Sequence, residues 1–369
     1  KYKGAQYQTA LAEIEPELQN VSLAWHWAAT QSKYTLLAQS SDALSFYYRW
    51  KGLHENGKEC FAYAARIVNS KDAEKNISAQ ISIITHFGDF LRATGENELA
   101  KQQLQLALQL IQRAKTLKVD VASEKAMSYL RLGQFLYLQS ESTSAQFHLQ
   151  QGLNIFRKLK DPFMMAEVLN ELGVAAYGIS NYEEAEKHFE ESYTLFKMVG
   201  HELNVAKVLI SKSLIARYQG EVAISKTYAI DGLAIYERLE NLPGIAEGLS
   251  NLGIIDVWLG EFAQAETNLL KSLAILEETG YVEQIWATRT RLSTTLYARK
   301  KYHEARQILE EMLKEARANG WQDSIVFALW LLGAVATGEN QYIEAEALIN
   351  ECISQSKKIN KPSYDVRGI

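Results

Sequence analysis

Proline is scarce in this chain, with four in 369 residues, and cysteine scarcer still, with two. Cys60 and Cys352 lie far apart and form no C-x-x-C pair, which excludes a disulfide framework and suits a reducing cytoplasm. There is no excess of positive charge: the net charge is −5 and the isoelectric point near 5.9. Nucleic-acid binding, which normally needs a basic face, is therefore not expected. Long hydrophobic runs are missing as well. The stretch VFALWLLGAVATG at 326–338 is too short to span a bilayer, so no membrane partner is expected. Strand signals are almost absent, since no segment alternates Val, Ile or Thr with polar residues. Helices joined by short turns remain. Pro162, Pro243 and Pro362 each follow a charged helix end, where proline stops one helix and pre-sets the next.

The residues that are present repeat. In LNELGVAAYGISNYEEAEKHFEESYTLF at 169–196, Gly173 stands where a helix prefers Ala or Leu, and Ala185 is a lone small residue in a charged stretch. Gly173 aligns at intervals of 40 with Gly133, Ser213, Gly253, Ser293 and Gly333; Gly88 lies 45 before Gly133, and Ser45 lies 43 before Gly88. Twelve residues after each comes Gly57, Ala100, Ala145, Ala185, Ser225, Ala265, Ala305 or Ala345. Seven further on is a third position that is small from Ala64 to Ser272 and relaxes to Met312 and Cys352. Small residues at fixed spacing let two helices approach closely, so each unit is expected to be a helical hairpin. One hairpin cannot bury its own apolar face, and stacking neighbours would make the core continuous. The expected fold is an all-α solenoid, a right-handed superhelix of about eight 40-residue hairpins. It would comprise a capping segment at 1–34, the array at 35–360, and a truncated ninth repeat at 361–369.

Leu172, Gly173, Ala185 and Phe189, with NLGIID at 251–256 and EFAQAETNLLKSL at 261–273, resemble the tetratricopeptide repeat (TPR). The period is longer than the family's usual length of about 34 residues. EIEPELQNVSLAWHWAATQ at 13–31 and LSFYYRWKGLHENGKECFAYAA at 44–65 resemble the entry to the TPR arm of STAND-type signalling ATPases. That resemblance implies an upstream NB-ARC-like ATPase module and a regulatory role in signalling or transcription. The helix with Asn20, Trp25 and Trp27 would cap the first repeat. The plainer alternative is an apolar cap with two buried tryptophans.

Catalytic motifs fail one by one. GLHENGKE at 52–59 imitates a phosphate loop, but Glu59 stands where Ser or Thr must hold magnesium, and a helix precedes it. The seven histidines make no H-E-x-x-H and no i, i+4 pair, so neither metal nor cofactor is expected. The glutamate pairs at 183–184 and 190–191 belong to a solvated helix face, and no enzyme is expected.

A ligand would sit on the first helix of each hairpin. Residues three before, one after and four after the small position share a face. This row gives Arg49, Arg92, Tyr137, Asn170, Val174, Tyr177, Leu214, Arg217, Ile254 and Tyr297 as a candidate groove for a protein, peptide or small-molecule inducer. Arginine and tyrosine favour binding hot spots. Arg217, with no carboxylate among its inward neighbours, is expected to be exposed; the alternative is that the row packs upon itself. The cationic cluster of Arg289, Arg291, Arg299, Lys300, Lys301 and Arg306 is expected to be a solvated edge, the alternative being a phosphate or acidic-partner site. Two functions fit: the sensor arm of a STAND protein, or a self-standing peptide receptor or scaffold.

Overall fold

The computed structural model describes residues 3–69 and 76–359. Among these residues there is no strand. Helices α1 (Tyr7–Ile14) and α2 (Leu18–Thr30) are joined by a 3-10 turn carrying Pro16. Hairpins follow as α3 (Tyr34–Trp50) with α4 (His54–Asn69), α5 (Ile77–Ala93) with α6 (Asn97–Thr116), and α7 (Ala122–Leu138) with α8 (Ser142–Leu159). Next come α9 (Pro162–Gly178) with α10 (Tyr182–Val199), α11 (Glu202–Tyr218) with α12 (Val222–Arg238), and α13 (Leu242–Trp258) with α14 (Phe262–Thr279). The last are α15 (Val282–Ala298) with α16 (Tyr302–Asn319), and α17 (Gln322–Gly338) with α18 (Tyr342–Ile359). Among the described residues, eight hairpins therefore follow the two leading helices. The stretched spacing between Gly88 and Gly133 is taken up partly by α6, which runs to 20 residues where most partners have 17 or 18, and partly by the longer connection at 117–121.

The small positions do the packing work expected of them. A Cβ on Gly133 would lie 2.5 Å from Leu149, and one on Gly173 would lie 2.5 Å from Phe189. Gly253 meets Leu269 and Gly333 meets Ile349 in the same way, always sixteen residues on. Ala185, Ala265 and Ala305 are fully buried. The third small position returns to the hairpin's own first helix: Ser192 donates to the Ala166 carbonyl and the Cys352 thiol to that of Val326, each across 26 residues. Each hairpin turn has one left-handed residue, at Gly52, Gly95, Ser140, Ser180, Gly220, Gly260, Lys300 and Asn340. Asp161 caps α9 through the Met164 amide, with Pro162 at its first position. Pro362 and the expected ninth repeat lie outside the described residues.

The chain forms two compact units, Lys1–Asn251 with Ile275–Glu283, and Leu252–Ala274 with Gln284–Ile369. In the first, the leading segment is integral to the core. The Tyr7 ring stacks on His201 with centroids 4.2 Å apart, and Lys3 pairs with Asp161 at 2.7 Å. Trp25 is buried against Phe61 and donates to the Cys60 carbonyl. Trp27 is 53% exposed, which corrects the expectation of two buried tryptophans: a single helix face can turn only one of them inward. The first repeat also meets the sixth. Asn241 donates to the Trp50 carbonyl at 2.9 Å, and Gly52 sits against Pro243 and Thr279. In the second unit, Leu269, Leu292, Leu309, Met312, Leu329 and Leu332 form the core.

Candidate functional site

In the first unit, α3, α5, α7, α9 and α11 pack in sequence, each against the next but one in the chain. Their shared register brings chemistry-bearing side chains together. Asp89 on α5 is fully buried, with the Arg92 Nη2 at 3.0 Å, the Arg131 Nε at 3.5 Å and the Arg49 Nε at 3.9 Å. Burial alone would raise the Asp89 carboxyl, but Arg131, Arg92 and Arg49 overcome it and hold the group well below the usual carboxylate range. One turn along α7, Gln134 accepts from the Arg131 Nη1 at 2.9 Å. Glu171 on α9 holds the same repeat position as Arg131 and pairs with Lys207 of α11 at 2.6 Å. Charges thus alternate across four successive repeats.

This network walls a cavity of about 160 Å³, lined by Arg49, His54, Asp89, Arg92, Arg131 and Lys207, with Pro243 and Tyr281 opposite. His54 lies against Tyr281, ring centroids 4.5 Å apart, and burial pushes its imidazole down to about 4. It is neutral at ordinary pH. Neither ring nitrogen of His54 has a hydrogen-bond partner, and neither has the Arg131 Nη2.

Of the expected row, Arg49 and Arg92 converge on Asp89. Tyr137, Val174, Tyr177 and Leu214 are half-buried. The Tyr177 ring packs at 5.1 Å against Tyr218, and burial raises its hydroxyl. Arg217 is only 4% exposed, which corrects the expectation of an open, accessible arginine. The inner face is tight enough there to lay its guanidinium over the Tyr218 ring, 5.4 Å from the centroid. Asn170 is buried too, and neither atom of its amide has a hydrogen-bond partner. In the second unit, Ile254 is half-buried and Tyr297 packs against Tyr302 at 5.9 Å.

The cationic cluster of the second unit is largely spent on carboxylates. Arg299 and Lys301 both pair with Glu266, and Arg289 with Glu315. Arg306 bridges Glu339 and Glu344. The imitation phosphate loop is a hairpin turn: Gly52 takes the left-handed conformation and Gly57 packs under Phe90. Asp89, Arg131, His54, Glu171 and Lys207 fall outside the row read from the sequence. The signal for them was Arg131, a lone charge in the otherwise uncharged stretch MSYLRLGQFLYL, and Asp89 three residues before Arg92 in an apolar helix.

Tetratricopeptide repeat models match residues 124–198 and 287–318. No curated protein sequence matches the chain. A Rap protein complexed with competence and sporulation factor has a similar structure, with TM-score 0.65 and 12% identity, covering 89% of this chain and 98% of that one. A STAND protein with a tetratricopeptide repeat sensor, from Pyrococcus horikoshii, gives 0.59 and 14%. That match covers 95% of this chain and 51% of the other, so the chain spans about half of that protein. Aspartyl phosphate phosphatase F from Bacillus subtilis gives 0.55 and 13%, covering 94% and 88%. At these identities the likeness is one of fold. The chain carries tetratricopeptide repeats, and its array resembles the sensor arm of a STAND protein.

Proposed function

We propose that this tetratricopeptide-repeat array is a non-enzymatic recognition domain of a cytoplasmic protein, whose first-helix face takes up a protein, peptide or small-molecule inducer. The observation that carries it is Asn170. A buried amide with both of its polar atoms unpartnered costs about 1–3 kcal/mol, a cost a fold retains where a ligand later supplies the partners. A carboxamide donates and accepts at once, which matches the N–H and C=O of a peptide backbone. Val174 and Tyr177, one and two turns on, offer half-buried apolar and aromatic surface beside it. Arg131, Arg92 and Arg49 hold the Asp89 carboxyl ionised, an arrangement suited to holding a ligand and not to moving a proton.

The finer reading is that the array is the regulatory arm of a STAND-type ATPase, with the ATPase module upstream. The resemblance at 13–31 and 44–65 supports it, as does the similarity to the Pyrococcus horikoshii sensor. The second reading is a self-standing peptide receptor or scaffold. The match over nearly the whole length of a Rap protein held with its signalling factor favours that one. Sequencing the gene upstream separates them: a continuous reading frame with a nucleotide-binding module supports the arm, and a start codon with no such module supports the receptor.

A further inference from the structure

The cavity between α3, α4, α5, α7 and α11 is more than a packing gap. We propose that it is a binding site for a phosphate-class oxyanion, either the free ion or a phosphoryl group borne on a larger ligand. It deepens the reading of the inner face as a recognition surface and rests on it, since Arg49 and Arg92 belong to both.

Unmatched donors, not net charge, point to the ligand's sign. Three guanidiniums converge on one carboxylate, Asp89, and the fourth cation of the wall, Lys207, is engaged by Glu171. Glu167 and Glu247 add attraction for Arg49 and Lys207 from outside the lining. Asp89 restrains the arginines without saturating them. Only Arg92 hydrogen-bonds it, while the Arg131 and Arg49 Nε atoms stand too far off. The Arg131 Nη2 is left buried with no acceptor on a residue 1% exposed, and the one N–H of the neutral His54 ring, on a residue 4% exposed, has none either. Unmatched guanidinium donors at this depth are costly, and a bound oxyanion would satisfy them.

Size and geometry point to its class. A cavity near 150 Å³ can hold a benzene-sized molecule, and 160 Å³ takes a tetrahedral oxyanion with room for water. Planar guanidiniums approaching from three helices suit an anion that presents oxygens in several directions. A carboxylate presents two in one plane and neutralises one charge, whereas phosphate presents four and neutralises up to two.

The test is calorimetric titration of the whole chain with inorganic phosphate, with acetate at matched ionic strength, and with a short phosphoserine peptide. Arg131→Gln strips Asp89 of a fully buried cation, so Arg49→Gln and the charge-keeping Arg92→Lys, both on partly exposed side chains at the rim, are the working variants. The proposal expects one saturable phosphate site in the wild type, weaker by at least about tenfold in either rim variant, and acetate weaker by a similar factor. Tighter binding of the phosphopeptide than of the free ion assigns the phosphoryl group to a larger ligand; the reverse assigns it to free phosphate. An absent phosphate site, or equal affinity in wild type and both rim variants, overturns the proposal. Tyr177→Ala, outside the cavity, keeps the two readings apart. Peptide binding that depends on Tyr177 without a phosphate site removes the anion pocket alone. A phosphate site without any peptide binding removes the recognition reading and leaves the pocket.

Discussion

Arg131 and Asp89 meet at 3.5 Å with both side chains buried, on helices of neighbouring repeats. Neither could be there alone. Removing one member of a buried pair leaves a charge with no solvent, which typically costs 3–5 kcal/mol. Asp89→Asn, which leaves three arginines facing one another, is expected to destabilise by about that much in urea unfolding. The double variant Asp89→Leu with Arg131→Met is expected to recover most of the loss. A double variant less stable than Asp89→Asn would contradict this view of the pair.

The repeat register makes its own prediction. Ala265→Leu overpacks a closed helix crossing and is expected to cost about 1–3 kcal/mol. Glu190→Leu changes an exposed residue whose partner is Lys212, and is expected to stay within about half a kcal/mol. Thermal melts that place the two variants together would show the register to be misassigned.

The leading helix is expected to behave as core and not as a tail. Tyr7→Ala empties the stack on His201, whose ring also caps α11 by accepting from the Asn204 amide. A loss of about 3–5 kcal/mol is expected, as for other buried aromatic deletions. A change below 1 kcal/mol in denaturant would show that α1 is only loosely attached.

Acid is expected to weaken the first unit. The buried, neutral His54 has its imidazole depressed to about 4 by burial first, then by Arg92 and Arg49 against the opposing pull of Asp89. The unfolded state therefore takes up a proton near pH 6.5 that the folded state refuses until about pH 4. Stability from this group is complete above pH 6.5 and falls as the pH drops towards 4, by up to about 3 kcal/mol. His86, depressed by burial against the opposing pull of Asp42, acts in the same sense. Urea midpoints from pH 7 to 4 should show a shallower slope in His54→Leu than in the wild type. Parallel slopes would contradict it.

The hairpins were legible because close helix crossings demand small residues, and glycine, alanine and serine recur at fixed spacing. Gly133 against Leu149 and Gly173 against Phe189 are that spacing made physical. What the sequence could not show is how tightly the stack winds. Arg217 reads as exposed when only its neighbours along the repeat are considered, and it is buried because Tyr218 and the surrounding helices close over it. The cavity was invisible for the same reason, since His54, Pro243 and Tyr281 lie far apart in the chain and meet only through the fold.

The central claim is that the inner face recognises a ligand through Asn170 and its neighbours. Peptides selected from a random display library on the wild type can be titrated against Asn170→Leu, Val174→Glu and the outer-face Glu190→Ala. The account predicts that the first two lose affinity by at least about tenfold while Glu190→Ala binds as the wild type does. Undiminished binding in Asn170→Leu and Val174→Glu, or loss confined to Glu190→Ala, would contradict it.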